Sequence, residues 1–186
     1  VGKQIDGLSW LGQMDDVDND FFDDALVIVI DTANAPRIDD RRFDQGAYLI
    51  KIDHHPNDEP FGDLMWVKEA ASSSSELVYD FYNQFKSELV LPQDAASDLY
   101  AGIVGDTGRF MYSATSAHTH EVVAGLMATG FDMVKVNQIL DEIPVSVAHL
   151  SAYLYDHLTI SERGAAHLVL TKEILEKFDL KDAGTA

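Results

Sequence analysis

Residues 25–30, Ala-Leu-Val-Ile-Val-Ile, are uninterrupted apolar chain that ends on Asp31. A short apolar run without alternation reads as a strand covered on both faces, which is the pattern of a parallel sheet. A second run, residues 47–52, ends in the same way on Asp53. A third, shorter strand is expected at residues 65–67. Two successive strands that both end on aspartate constrain the chain strongly. In open α/β sheets, ligands bind outside the carboxyl ends of the strands. Asp31 and Asp53 should therefore share one rim of one sheet.

After residue 72 the apolar period becomes helical. Leu77, Val78, Phe81, Tyr82 and Phe85 fall on one helix face, and the serines ahead of Glu76 supply N-cap candidates. Further helices are expected from Pro92 and Asp94 to about Gly105, over residues 119–129 up to Gly130, over 132–140, and from Pro144 through His157. Residues 158–161 and 166–170 flank Glu162-Arg163-Gly164 and read as a hairpin. Residues 39–43 read as a short helix or turn. The fold class is therefore α/β: a mostly parallel sheet flanked by helices, followed by the start of a second, C-terminal α/β domain.

Composition narrows the chemistry. Cysteine is absent, so disulfides and thiolate metal sites are excluded. That fits a cytoplasmic location. Any metal must be held by carboxylates and imidazoles, supplied by 32 Asp+Glu and 7 His. The net charge of −19 repels phosphate backbones at long range and argues against a nucleic-acid coating protein. An anionic substrate remains compatible where bound cations reverse the local sign. The longest apolar run is far shorter than the roughly 20 residues that span a bilayer, and residues 1–6 lack a signal-peptide layout. The acidic run at 15–24 resembles a calcium loop superficially. It lacks the central Gly and the closing Glu, so it reads as a solvated connecting segment.

The chemistry concentrates in three places. Asp53 is followed directly by His54 and His55, a carboxylate and two imidazoles at a strand end. In extended backbone neighbouring side chains point oppositely. One imidazole is then expected to bind metal while the other faces substrate or a supporting carboxylate. Pro56 keeps His55 extended. The third place is Gly105-Asp106-Thr107-Gly108-Arg109-Phe110, where an apolar helix ends in an acidic turn. Gly105 and Gly108 allow close approach or positive φ, and Arg109 offers a fork of donors to an anion. His118, His120, His149, His157 and His167 have no clustered partners in sequence. His118 and His120 read as a helix-start feature.

Asp31-Thr32-Ala33-Asn34, Asp53-His54-His55-Pro56-Asn57 and Gly105-Asp106-Thr107-Gly108-Arg109-Phe110 occur in that order. Together they resemble motifs of the DHH phosphoesterases, from about residue 25 to the hairpin near 170. The variants look most like the branch of short-RNA nucleases and phosphoadenosine-phosphate phosphatases. The resemblance implies two manganese or magnesium ions in the full-length protein, bridged by Asp31, with His54 and Asp106 as ligands of one. Asp53 would orient His54. His55 would contact the scissile phosphate, and Arg109 would assist catalysis and hold substrate with Asn34, Arg37 and Ser74. The serine cluster with Glu76 recurs near this site in the family; a phosphate-receiving helix N-terminus and plain N-capping are both open readings of it.

The family's first motif, a His followed by two spaced aspartates, is absent and is expected upstream of Val1. The resemblance divides the chain into residues 1–142, a DHH domain truncated at its N-terminus, 143–157, a linker helix, and 158–186, the beginning of the substrate-binding domain. It implies hydrolysis of short oligoribonucleotides or of 3′-phosphoadenosine 5′-phosphate, with a homodimer as one assembly and no membrane partner. The alternatives are a cyclic- or linear-dinucleotide phosphodiesterase and a non-catalytic nucleotide-sensing domain.

Overall fold

A computed structural model describes residues 8–180. The readings made of residues 1–6 and of the last residues of the chain lie outside it. Contacts divide the chain into two units, Val1–Asn137 and Gln138–Ala186.

In the first unit, β1 (Leu26–Ile30), β2 (Tyr48–Asp53) and β3 (Leu64–Val67) form a three-stranded sheet in the order β1-β2-β3. Both pairings are parallel, with Ile30 opposite Ile52 and Asp53 opposite Val67. Residues opposite one another share a face, so Leu26, Ile28 and Ile30 lie on the same side as Ile50 and Ile52. The helix α1 (Ser74–Gln84) packs on that side. Its fully buried Leu77 joins Ile52 and Ala71, with Ile50 and Trp66 against them. α1 thus covers β2 and β3 but leaves β1 open. Leu26, Ile28 and Ile30 are 57, 44 and 45% exposed. This corrects the expectation that the first strand is buried on both faces. An uninterrupted apolar run records what a strand can be packed against, and among the described residues nothing covers this side of β1. A cleft of about 450 Å³ runs along it, lined by Met14, Phe21, Leu26, Ile28 and Phe43, with Arg37 also on its wall.

Four helices follow the sheet: α1, α2 (Gln93–Asp106), α3 (Ala117–Met127) and α4 (Met133–Asp141), the last running across the division between the units. Ser73 caps α1 by accepting from the Glu76 N–H. Ser116 and Thr119 form a reciprocal capping box on α3. α2 approaches α1 closely at Gly102, where any Cβ would meet Ser75 Oγ. Residues 39–43 form a turn, preceded by an unforeseen 3-10 turn at Ala35–Arg37. The acidic run is not merely solvated. Arg42 donates to the Val17 carbonyl and Asn19 Oδ1, and its guanidinium lies 4.8 Å from the Phe22 ring centroid. The same guanidinium, hydrogen bonded to Asp40, holds that carboxyl down at about 2.

The second unit contains α5 (Val145–Asp156), the short antiparallel pair β4 (Thr159–Ile160) and β5 (Ala166–His167), and α6 (Lys172–Lys177), which the sequence reading did not anticipate. Leu150, Leu175 and Leu180 form its buried cluster. Among the described residues, no helix is long and apolar enough to cross a membrane.

Candidate metal centre

The carboxyl ends of β1 and β2 carry the chemistry. Asp31 follows β1 directly, and its N–H donates to the Ile52 carbonyl at 3.0 Å, extending the ladder by one bond. There the backbone turns left-handed, with φ 60°, a conformation that an aspartate tolerates better than most residues. Ser74, the first residue of α1, donates its hydroxyl to Asp31 Oδ1 at 3.0 Å.

Asp53 is fully buried and ends β2. Its Oδ1 accepts from the backbone N–H of His54 (2.8 Å) and of His55 (3.1 Å), and from His55 Nδ1 (2.8 Å). Burial works to raise the Asp53 carboxyl, but these donors outweigh it and hold the group below its usual range. The carboxylate therefore sets the His55 ring, with the proton on Nδ1 and Nε2 left free. It does not meet the His54 ring. His54 Nδ1 instead faces the Ala71 carbonyl at 3.4 Å, which leaves its Nε2 3.5 Å from Asp31 Oδ1 and 3.7 Å from Asp106 Oδ2.

The two imidazoles do not diverge as strand alternation predicts. The chain leaves the strand at His54, so alternation no longer applies. The rings meet edge to face, with centroids 4.7 Å apart. Ligand atoms of Asp31, His54 and His55 all lie within 4.8 Å of one another. Asp106, the last residue of α2, completes the group from across the sheet rim. Burial and the neighbouring Asp31 raise its carboxyl, against the lowering effect of His54 and His55. Two facing carboxylates and a neutral imidazole nitrogen form a donor set suited to a divalent cation.

Other expected residues sit differently. Asn34 donates to Glu59 Oε1 at 3.3 Å, and its buried Oδ1 has no hydrogen-bond partner. Arg37 is exposed and lines the cleft beside β1 rather than the Asp–His cluster. Gly105 is helical, so positive φ falls instead on Gly108, Arg109 and Phe110, at 52, 60 and 64°. Arg109 is exposed within this left-handed turn. His118 joins Asp80 at 2.8 Å, a pairing between distant residues that sequence spacing could not reveal. Glu76 was read only as part of the serine cluster, without its partners, and Lys51 escaped the sequence reading altogether. Glu76 is buried and accepts from Ser72 Oγ (2.6 Å) and Thr119 Oγ1 (2.7 Å). Lys51 is buried beneath Asp53.

A parallel sheet whose strand ends deliver Asp31, then Asp53-His54-His55, with Asp106 arriving from a following helix, is the arrangement expected of the class the motifs resemble, the DHH phosphoesterases. Within it the likeness is to NrnA-type proteins. The chain is 49% identical over its whole length to the "Probable bifunctional oligoribonuclease and PAP phosphatase NrnA" of Streptococcus mutans, and covers 59% of that protein. It is 44% identical over 96% of its length to the bifunctional oligoribonuclease and PAP phosphatase NrnA of Bacillus subtilis, covering 57% of it. The chain thus spans somewhat more than half the length of the curated relatives it matches. Among solved structures, an exopolyphosphatase-related protein from Bacteroides fragilis matches 85% of this chain and 48% of its own, with a TM-score of 0.74 and 25% identity. No protein-family model matches the chain.

Proposed function

We propose that the protein carrying this chain is a metal-dependent phosphoesterase acting on short oligoribonucleotides, on 3′-phosphoadenosine 5′-phosphate, or on both. The observation that carries this reading is the convergence of Asp31, His54 and His55 within 4.8 Å, with Asp106 beside them. The names of the NrnA-type relatives supply the substrate class. Asp31, His54 and Asp106 would hold a divalent ion, manganese or magnesium, with two ions in the longer protein. When bound, such ions lower the pKa of a bound water and neutralise phosphoryl oxygens.

The protein side of the mechanism follows from the hydrogen bonds. The Ala71 carbonyl keeps the His54 proton on Nδ1 and presents Nε2 toward Asp31 and Asp106. Asp53 holds the His55 ring through Nδ1, which leaves His55 Nε2 as the atom that would meet a phosphoryl oxygen. Ser74 steadies the Asp31 carboxylate. Arg109 and Asn34 would contact substrate, and Arg37 would do so only from the β1 side of the rim. Residues 1–142, 143–157 and 158–186 would serve as catalytic domain, linker helix and the opening of the substrate-binding domain. A cytoplasmic homodimer completes the proposal.

The test is a calorimetric titration of the chain with Mn²⁺, alongside assay of the longer protein on 3′-phosphoadenosine 5′-phosphate and on a short oligoribonucleotide. Saturable Mn²⁺ binding, lost in Asp31→Asn and Asp106→Asn, is expected together with Mn²⁺-dependent product release. Binding without turnover of either substrate by the longer protein would turn the reading to a sensing domain.

A further inference from the structure

The central strand carries a cation that the chemistry above leaves unused. Lys51 lies two residues before Asp53 on β2, so both side chains leave the same face of the sheet. Lysine in that position normally reaches water, yet Lys51 is 0% exposed. A buried ammonium is costly unless its surroundings compensate it. Lys51 Nζ donates to the Ala33 carbonyl at 2.9 Å and to Asn57 Oδ1 at 2.9 Å. It lies 3.4 Å from Asp53 Oδ2, an oxygen that makes no hydrogen bond, and 4.8 Å from the Phe61 ring centroid.

Each partner leads to a different part of the site. Ala33 sits between Asp31 and Asn34 on the segment leaving β1. Asn57 follows His54-His55-Pro56 on the segment leaving β2. Asp53 holds the His55 ring through its other oxygen. One ammonium therefore meets both rim segments and the carboxylate that orients an imidazole.

We propose that Lys51 is a positioning residue: its ammonium ties the two rim segments to Asp53 and so fixes the direction of the His55 ring relative to Asp31. It touches neither a candidate metal ligand nor the place of a phosphate, and it acts through Asp53 and the rim. Its effect on hydrolysis rests on the function proposed above; its effect on the ring does not. If Lys51 only filled space, a methionine of similar length would replace it without disturbing His55.

The experiment compares wild type, Lys51→Met and Asn57→Ala in the 186-residue chain by two measurements. The first is ¹⁵N-resolved NMR of the histidine rings without metal. Wild-type His55 is expected as a single Nδ1-protonated tautomer. Both variants should give a mixed His55 signal, with His149 and His157 unchanged. The second is Mn²⁺ titration, where Lys51→Met should bind about tenfold more weakly, the lower end of what lost supporting contacts cost a metal site. A folded Lys51→Met with the wild-type His55 signal and wild-type Mn²⁺ affinity overturns the proposal. If Lys51→Met does not fold, Asn57→Ala decides by the same measurements, since it removes one acceptor and leaves the lysine in place. If the wild-type chain binds no Mn²⁺, the metal reading fails and the His55 comparison alone decides the role of Lys51.

Discussion

Asp106 and Asp31 repel one another across the rim, and that repulsion ties stability to metal binding. A carboxyl raised by burial and by a like charge weakens the fold when ionised. Asp106→Asn should therefore raise the melting temperature of the metal-free chain and weaken Mn²⁺ binding by at least about tenfold. Thermal melts with and without Mn²⁺ check both directions together. His118 gives a separate pH signature. Burial opposes its charged form, but the hydrogen bond it donates to Asp80 wins, so its folded pKa lies above the ordinary value. The stability it contributes is then complete below about pH 6.5 and is lost as pH rises through the higher folded value. In urea unfolding, the gap between wild type and His118→Ala should shrink as pH is raised; a gap that widens excludes the pairing. At this scale the sequence displayed the motif residues, because Asp31, His54, His55 and Asp106 sit in recognisable local patterns. It concealed Lys51, since a lysine within a strand reads as a solvent-facing residue. It also concealed the Ser74–Asp31 bond, which joins residues 43 positions apart.

Between elements, close approach matters more than propensity. α2 reaches α1 because Gly102 has no side chain to meet Ser75. Gly102→Val should cost about 1–3 kcal/mol by overpacking, measurable as a lower urea midpoint with an unchanged slope. The acidic segment offers a second test. Arg42 ties it down through Val17, Asn19 and the Phe22 ring. Arg42→Ala should speed proteolytic cleavage between residues 13 and 24 and leave the helices uncut. Strand identity and parallel pairing were readable from β1 and β2, where apolar runs end on aspartates. The open side of β1 was not, because an apolar run does not record whether a helix lies over it. The turn at residues 108–110 was hidden for another reason: Arg109 and Phe110 have no preference for the left-handed conformation they adopt. Local hydrogen bonds from the Arg109 N–H to the Val104 carbonyl and from the Phe110 N–H to Thr107 Oγ1 accompany it, and such strain gathers at functional sites.

For the molecule as a whole, charge and anionic substrate are in tension. With a net charge of −19, bulk electrostatics slow the approach of a nucleotide. With Mn²⁺ saturating, kcat/KM of the longer protein should rise as salt is added up to about 0.1 M, where screening acts over about 10 Å. A steep fall, as a basic nucleic-acid binder shows, would contradict the proposed site. The uncovered side of β1 makes a second prediction at this scale. Ile28→Lys should lower binding of an apolar dye while changing stability by no more than about 0.5 kcal/mol. The mirror-handed backbone at Asp31 decides which inert copy of the molecule is worth making. Alanine there would add about 1–2 kcal/mol of conformational cost to the loss of charge, and its defects would be hard to apportion. Asparagine accepts the same backbone and can still receive the Ser74 hydroxyl. Asp31→Asn is thus the variant whose lost Mn²⁺ binding can be assigned to the missing charge, on an undistorted scaffold.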